Sequence, residues 1–361
     1  MEAGPICPQL RYLECTDIDA EMLPKFHLFL PPTLLVLKLG LWAIEGSDLS
    51  VLSLLGTQCP FVRTAIFKGH PGAEDVISAV SQAICGWRHL QELHCGPLNR
   101  KAWAHLSETG SLRSGAFWLP DPIVASIPSP LAASKRMALF PEMSDLHLTS
   151  HTVTQATGFV ESMHHTPKIC HISIKSTRES TSQNIHALCI ALSNRALDSP
   201  SLLKLSSSDL IGNSTSPPII TFEAIQPLLS FRSLRILEIE RFGTFALDNE
   251  ALKIFAMAWP NLEILRLDHN VWPPPFGITF RGLSHLVKSC PNLKGLDLAF
   301  DATKTDYTEE ELGGASNRAI TLLGVFNSPL SDVGIVAALL KLCHSYQTLR
   351  PVPEIYSDLE P

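Results

Sequence analysis

One short frame returns along the whole chain: an apolar residue, two arbitrary residues, an apolar residue, one arbitrary residue and an apolar residue. It is plainest in Leu234-Leu237-Ile239, Leu262-Leu265-Leu267 and Leu293-Leu296-Leu298. The same frame fits Leu10-Leu13-Cys15, Leu34-Leu37-Leu39, Val62-Ala65-Phe67, Leu90-Leu93-Cys95, Met143-Leu146-Leu148, Ile169-Ile172-Ile174 and Ile320-Leu323-Val325. Leu112-Gly115-Phe117 and Leu202-Leu205-Ser207 are degenerate copies. First positions recur every ~28 residues, a period at which each unit is too small to bury its own core and must stack on its neighbours. The chain is therefore expected to be a stack of about twelve units with one continuous core.

Within each frame the second and third apolar positions alternate with polar ones, so this part is a short strand. Helical periodicity precedes most strands. Ile185, Leu188, Cys189 and Leu192 fall at i, i+3, i+4 and i+7, and Leu283, Leu286, Val287 and Cys290 repeat the offsets. Val76, Val80 and Ile84 mark another stripe, as do Leu252, Phe255 and Trp259. Helix then strand at this period predicts an α/β leucine-rich-repeat solenoid, a horseshoe with strands concave and helices convex. Cys7-Pro8, Cys59-Pro60, Trp259-Pro260 and Cys290-Pro291 stand just before the first apolar position. The proline stops each helix at the same place, and the residue before it is expected to plug the layer beneath the turn.

The solenoid is expected over residues 1–345, with irregular loops near 120–137, 208–220 and 300–318 and an irregular tail at 346–361. The last loop is acidic, and Thr308 and Glu311 could form a capping box there. No helix or cap is visible before Leu10. Because solenoid ends need covering, further chain or a partner is expected to cover this one.

The chain is 45% hydrophobic and only 17% charged, ample for burial. A net charge of −7 argues against nucleic acid or an anionic membrane as the main partner. The start lacks a basic stretch followed by an apolar core, and the run from Leu28 to Ile44 is interrupted by Pro31, Pro32 and Lys38. Cys7, Cys59 and Cys290 share one repeat position and Cys15 and Cys95 another, which suits buried free thiols in a reducing compartment. A cytoplasmic or nuclear location is expected.

Residues flanking the inward pair should face the concave side. They include Glu238, Glu240, Arg266, Asp268 and Asp297 late in the chain, and His147, His171 and Lys175 in the middle. The late group is acidic around Arg266, so a basic segment of a protein partner is the expected occupant. Trp272, in the stiff loop Val271-Trp272-Pro273-Pro274-Pro275, is a candidate contact outside the sheet. Phosphate-cradle, nucleophile-elbow and zinc-protease signatures are absent, and no cofactor or metal is expected. The groupings Cys85, His89, His94, Cys95 and His164, His165, Cys170, His171 lack the usual zinc spacing.

The segments Phe231 to Ile239, Trp259 to Leu267 and Cys290 to Leu298, the loop Trp272 to Pro275 with Thr279 to Leu283 after it, and Asn327 to Asp332 followed by Val336 to Leu340 resemble the leucine-rich repeats of fungal F-box proteins. The resemblance covers roughly residues 220–345. It implies a non-catalytic substrate receptor of a cullin–RING ubiquitin ligase. Such a receptor meets a Skp1-type adaptor through an F-box, which would have to lie upstream of this chain. A stand-alone scaffold or inhibitor that binds another protein is the alternative.

Overall fold

The computed structural model describes residues 5–19, 21–42, 49–69, 73–119, 140–163, 169–178, 180–194, 200–208, 218–267, 277–304, 317–325 and 328. The chain divides into two compact units, the first carried mainly by residues up to Ile169 and the second mainly by Cys170 onward.

The first unit is a parallel array, in order, of β1 (Tyr12–Cys15), β2 (Val36–Gly40), β3 (Thr64–Lys68), β4 (Glu92–Cys95), β5 (Ser114–Trp118) and β6 (Asp145–Ser150). A 3-10 helix, Leu23–Phe29, and α1 (Ser50–Gln58), α2 (Glu74–Cys85), α3 (Arg100–Glu108) and most of α4 (Val153–Ser162) join the strands. Inward residues stand in register: Leu37, Ala65, Leu93, Gly115 and Leu146 pair in succession. Gly115 occupies an inward place because the Phe117 ring fills it; a Cβ there would lie 2.4 Å from Phe117 Cε2. That is why this copy of the frame looked degenerate.

The second unit holds β7 (His171–Ser176), α5 (Ser182–Asn194), β8 (Leu202–Ser207), β9 (Ile219–Thr221), α6 (Phe222–Ile225), a 3-10 helix at Gln226–Ser230, β10 (Ile236–Glu240), β11 (Thr244–Ala246), α7 (Asn249–Ala258), β12 (Ile264–Leu267), α8 (Phe280–Ser289), β13 (Gly295–Asp297) and β14 (Leu322–Gly324). β7, β8, β10, β12, β13 and β14 pair in parallel in that order. β9 pairs with β11 in a separate parallel ribbon, so the end of the stretch expected as irregular near 208–220 is strand. Residues 120–137, most of 300–318 and 346–361 lie outside the described residues.

The four helical stripes read from the sequence are buried: Ile185 to Leu192 on α5, Leu283 to Val287 on α8, Val76 to Ile84 on α2, Leu252 and Phe255 on α7. Asp248 caps α7 through Ala251 N–H at 2.8 Å. Asn249 then reaches the next repeat, where its Oδ1 accepts from Thr279 N–H at 2.8 Å and Gly282 N–H at 3.0 Å. One amide thereby satisfies donors at the start of α8 that the helix cannot satisfy itself.

At three of the four expected places the residue before the first-position turn plugs the layer; Cys7, at the fourth, is exposed. Cys59, Trp259 and Cys290 are all 0% exposed. Each also bonds back one repeat. Cys59 Sγ–H donates to Pro31 O (3.3 Å), and Trp87 Nε1–H donates to Cys59 O (3.0 Å). In the second unit Trp259 Nε1–H donates to Leu228 O (3.3 Å), Cys290 Sγ–H to Trp259 O (3.5 Å) and Asn317 Nδ2–H to Cys290 O (3.1 Å). These ladders give buried carbonyls at the turns a partner, which an apolar plug alone would not.

Two expectations need correcting. The frame Leu202-Leu205-Ser207 is set two residues too far along: Leu203 and Leu205, both 0% exposed, pair with Leu237 and Ile239, while Leu202 lies in register with Ile236 and not with the first position Leu234. Pairing of Leu203 with Ile172 and Leu237 sets the register; a shift of two residues keeps the same side chains inward, and Ser207 is buried on that face as well. The thiols also divide. Cys59, Cys95 and Cys290 are buried, but Cys7 is exposed and Cys15 half-buried. Cys59 sits between the bonded layers of Pro31 and Trp87, whereas β1 pairs on one side only, with β2, among the described residues.

Candidate functional site

Adjacent parallel strands lie about 4.8 Å apart, so residues in register on one face touch. In the second unit one such row runs Lys204, Glu238, Arg266, Asp297 and Gly324 on β8, β10, β12, β13 and β14. The charges alternate along it. Lys204 Nζ lies 2.8 Å from Glu238 and 3.6 Å from Glu240. Arg266 Nη1–H donates to Glu238 at 2.9 Å and to Glu240 at 3.3 Å, while Nε–H donates to Asp297 at 2.7 Å. One guanidinium fork thus holds three carboxylates, a geometry a lysine ammonium cannot reproduce.

The network is partly withdrawn from water. Side-chain exposure is 13% at Glu238 and 11% at Asp297, against 28% at Arg266 and 36% at Lys204. Burial is the largest influence on Arg266 and works against its charge, but Asp297, Glu238 and Glu240 together outweigh it and raise its pKa. Lys204 behaves alike: burial lowers it, and Glu238 and Glu240 raise it further than burial lowers it. Beyond Asp297, Gly324 leaves the room the carboxylate needs; a Cβ there would lie 2.1 Å from Asp297 Oδ1.

Beside this row, Glu263 just ahead of β12 pairs with Arg235 and, at 2.7 Å, with Lys294. Its pKa is lowered chiefly by the Lys294 bond, burial opposing and Arg235 adding.

The same row in the first unit reads Glu14, Lys38, Ile66, His94, Ala116 and His147. Lys38 Nζ is 3.8 Å from Glu14 and 5.3 Å from the Tyr12 ring centroid, and Tyr12 O–H donates to Glu14. His94 Nε2 is 3.3 Å from Glu92 Oε1. Burial pushes the His94 pKa below its ordinary value, Glu92 opposing and His147 and Lys38 adding.

The structure therefore gathers Glu238, Glu240, Arg266 and Asp297 into one network. Lys204, which the sequence reading missed, belongs to it; the frame at β8, set two residues too far along, gave Lys204 the place of Ile236 rather than that of Glu238. His171 and Lys175 both lie exposed on β7, in register with Leu202 and Ser206, apart from the network's row position. His147 is exposed on β6 of the first unit. Asp268 and Trp272 lie outside the described residues. Among the described residues no group of three or more His, Cys, Asp or Glu side chains could hold a metal ion, and no helix is long and apolar enough to cross a membrane.

No family model matches the chain, and neither does any curated protein. Among solved structures it is similar to a chain of the complex of Rad7 and Elc1 from yeast, at 15% identity over 89% of this chain and 77% of that one, with a TM-score of 0.48. It is also similar to the leucine-rich repeat-containing protein LegL7 from Legionella pneumophila, at 14% identity over 86% of this chain and 98% of that one, with a TM-score of 0.37.

Proposed function

We propose that the chain is a protein-interaction module of the leucine-rich-repeat type that catalyses nothing itself. The observation that carries this reading is the half-buried row Lys204–Glu238–Arg266–Asp297 with Glu240 beside it. Ion pairs on a sheet face are no more stabilising than apolar residues of like volume. Charges placed there in alternating order serve selection of a partner by complementarity. Three carboxylates against two bases leave the network one negative charge in excess. Both contacts of Glu240 use Oε1, and its side chain is 23% exposed. A lysine or arginine on a basic segment of the partner would dock at Glu240 and complete the pattern.

The resemblance of the late repeats to fungal F-box proteins supports a finer form of the reading: substrate recognition for a cullin–RING ligase, reached through a Skp1-type adaptor if an F-box precedes this chain. Affinity capture with the natural full-length protein tests both levels. Glu240→Lys should lower capture of the main partner about tenfold, a change of ~1.4 kcal/mol. A partner set untouched by Glu240→Lys would remove the row from the function. A Skp1-type adaptor should co-purify with the natural protein; its absence would leave binding without the ligase role.

A further inference from the structure

The edge of the first unit where helices hand over to strands is basic in a chain that is acidic overall. Arg11, Arg63 and Arg113 each stand one residue ahead of β1, β3 and β5, and all three are exposed. A chain of backbone bonds proves their equivalence. Arg63 N–H donates to Leu35 O and Leu35 N–H to Arg11 O, while Arg113 N–H donates to Gln91 O and Gln91 N–H to Arg63 O. Arg88, also exposed, lies in the turn before β4. Among the described turn residues 7–11, 60–63, 88–91, 110–113 and 141–144 the one carboxylate is Glu142. None of these four arginines makes an ion pair among the described residues.

An aromatic stands in the middle of this edge. Phe61 is 54% exposed and stacks on His89, with ring centroids 6.4 Å apart and planes at 19°. The turns beneath are held by side chains: Thr33 Oγ1–H donates to Pro8 O at 2.9 Å, and Ser111 Oγ–H donates to Leu90 O at 2.8 Å. The edge is thus built before anything binds, which lowers the ordering cost of binding.

We infer that this edge is a second docking surface, distinct from the charged row of the second unit, for an acidic protein segment in the polyproline II conformation. The spacing carries the choice. Arg11, Arg63 and Arg113 occupy every second strand, so their backbones are about 10 Å apart. A polyproline II helix repeats each face every three residues and rises ~3.1 Å per residue, so carboxylates at i, i+3 and i+6 fall about 9 Å apart on one side. A β-strand places i and i+3 on opposite sides and does not match. An exposed aromatic beside the basic positions suits the proline-rich conformer, which docks against aromatic side chains.

The test uses labelled peptides on the full chain, read by fluorescence anisotropy. One peptide repeats Glu-Pro-Pro; its isomer holds the same residues with the glutamates clustered; a single-stranded oligonucleotide of equal charge is the third probe. The repeating peptide should bind at least tenfold more tightly than its isomer and weaken as salt rises. Arg11→Gln, Arg63→Gln and Arg113→Gln together, at exposed positions that leave the melting temperature in place, should weaken it at least tenfold, and Phe61→Ala several-fold. Equal binding of the two isomers, tighter binding of the oligonucleotide, no peptide binding, or a triple variant that binds as well as the parent would each overturn the inference. The isomer comparison needs no variant, so a folding defect in one cannot shield it.

Discussion

In the second unit every carboxylate of the row Lys204, Glu238, Arg266, Asp297 lies within 3 Å of a base; in the first, the equivalent row Glu14, Lys38, Ile66, His94, Ala116, His147 interleaves charges with apolar residues. The backbones are alike: parallel, in register and plugged beneath the turns by residues that bond back one repeat. The difference lies in the side chains at one position of the repeat. In the second unit adjacent strands carry opposite charges, so neighbours lock and lose water. In the first, Ile66 and Ala116 stand between the charged residues and keep His94 apart from both Lys38 and His147 along the row. A repeat backbone supplies a grid of neighbours, and the identity of one residue per repeat decides whether that grid becomes a fixed charged surface or an open one.

If the cores are alike and only the faces differ, Trp87→Ala in the first unit and Trp259→Ala in the second should cost about the same, roughly 3–5 kcal/mol each. Both rings are fully buried and both donate to a carbonyl of the previous repeat. Chemical denaturation of the two variants checks it; a threefold difference would show that the cores are unlike. The faces should then separate. Arg266→Ala should lower stability by about 2 kcal/mol, because it strands carboxylates that are partly withdrawn from water. Lys38→Ala in the first unit should leave the melting temperature where it was, since its contact with Glu14 is solvated.

A smaller effect is expected at Gly324→Ala, roughly 1–2 kcal/mol, as the new methyl displaces Asp297 from Arg266. Combining it with Arg266→Ala should cost less than the sum, which a double-mutant cycle reads directly. Thiol labelling of the native protein compares the regions in another way. Exposed Cys7 and Cys170 should react at neutral pH. Cys59 and Cys189, with pKa pushed up to about 12 by burial, and Cys290, to about 11, should react only on unfolding. Labelling of Cys290 as fast as Cys7 would show the second unit opening at the turns.

The smallest effect concerns pH. His94 has its folded pKa lowered mainly by burial, so the folded chain resists a proton that the unfolded chain accepts. Its contribution is therefore complete above the ordinary histidine value and is lost as pH falls from there through the lower folded value. His94→Gln should flatten the melting temperature over that window by about 1 °C. An unchanged profile would place the acid sensitivity elsewhere.

Most of the fold could be read from the chain itself. The apolar frame located β2 to β7, β10, β12, β13 and β14 and their inward residues, and the 3.6-residue stripes located α2, α5, α7 and α8. The failures share a cause. At β8 the first position is Pro200, so the apolar frame fits two residues further along at Leu202, and only pairing with β7 and β10 set the register. β9 is three residues long and gains its strand from β11, twenty-odd residues away, so no local pattern marks it. Cys7 and Cys59 occupy one repeat position, but neighbouring layers bury only Cys59.

The candidate site divides in the same way. Sequence alone set which residues leave the core: Glu238, Glu240, Arg266 and Asp297 flank inward apolar positions, and the two-residue period turns them to the other face. Which of them touch was decided by strand register, because residues some thirty positions apart become neighbours only when their strands pair. Register put Lys204 beside Glu238, placed Arg266 within reach of three carboxylates and left space at Gly324 for Asp297. Periodicity is a local property that the chain carries by itself; contact between repeats is not, and that contact makes the charged row.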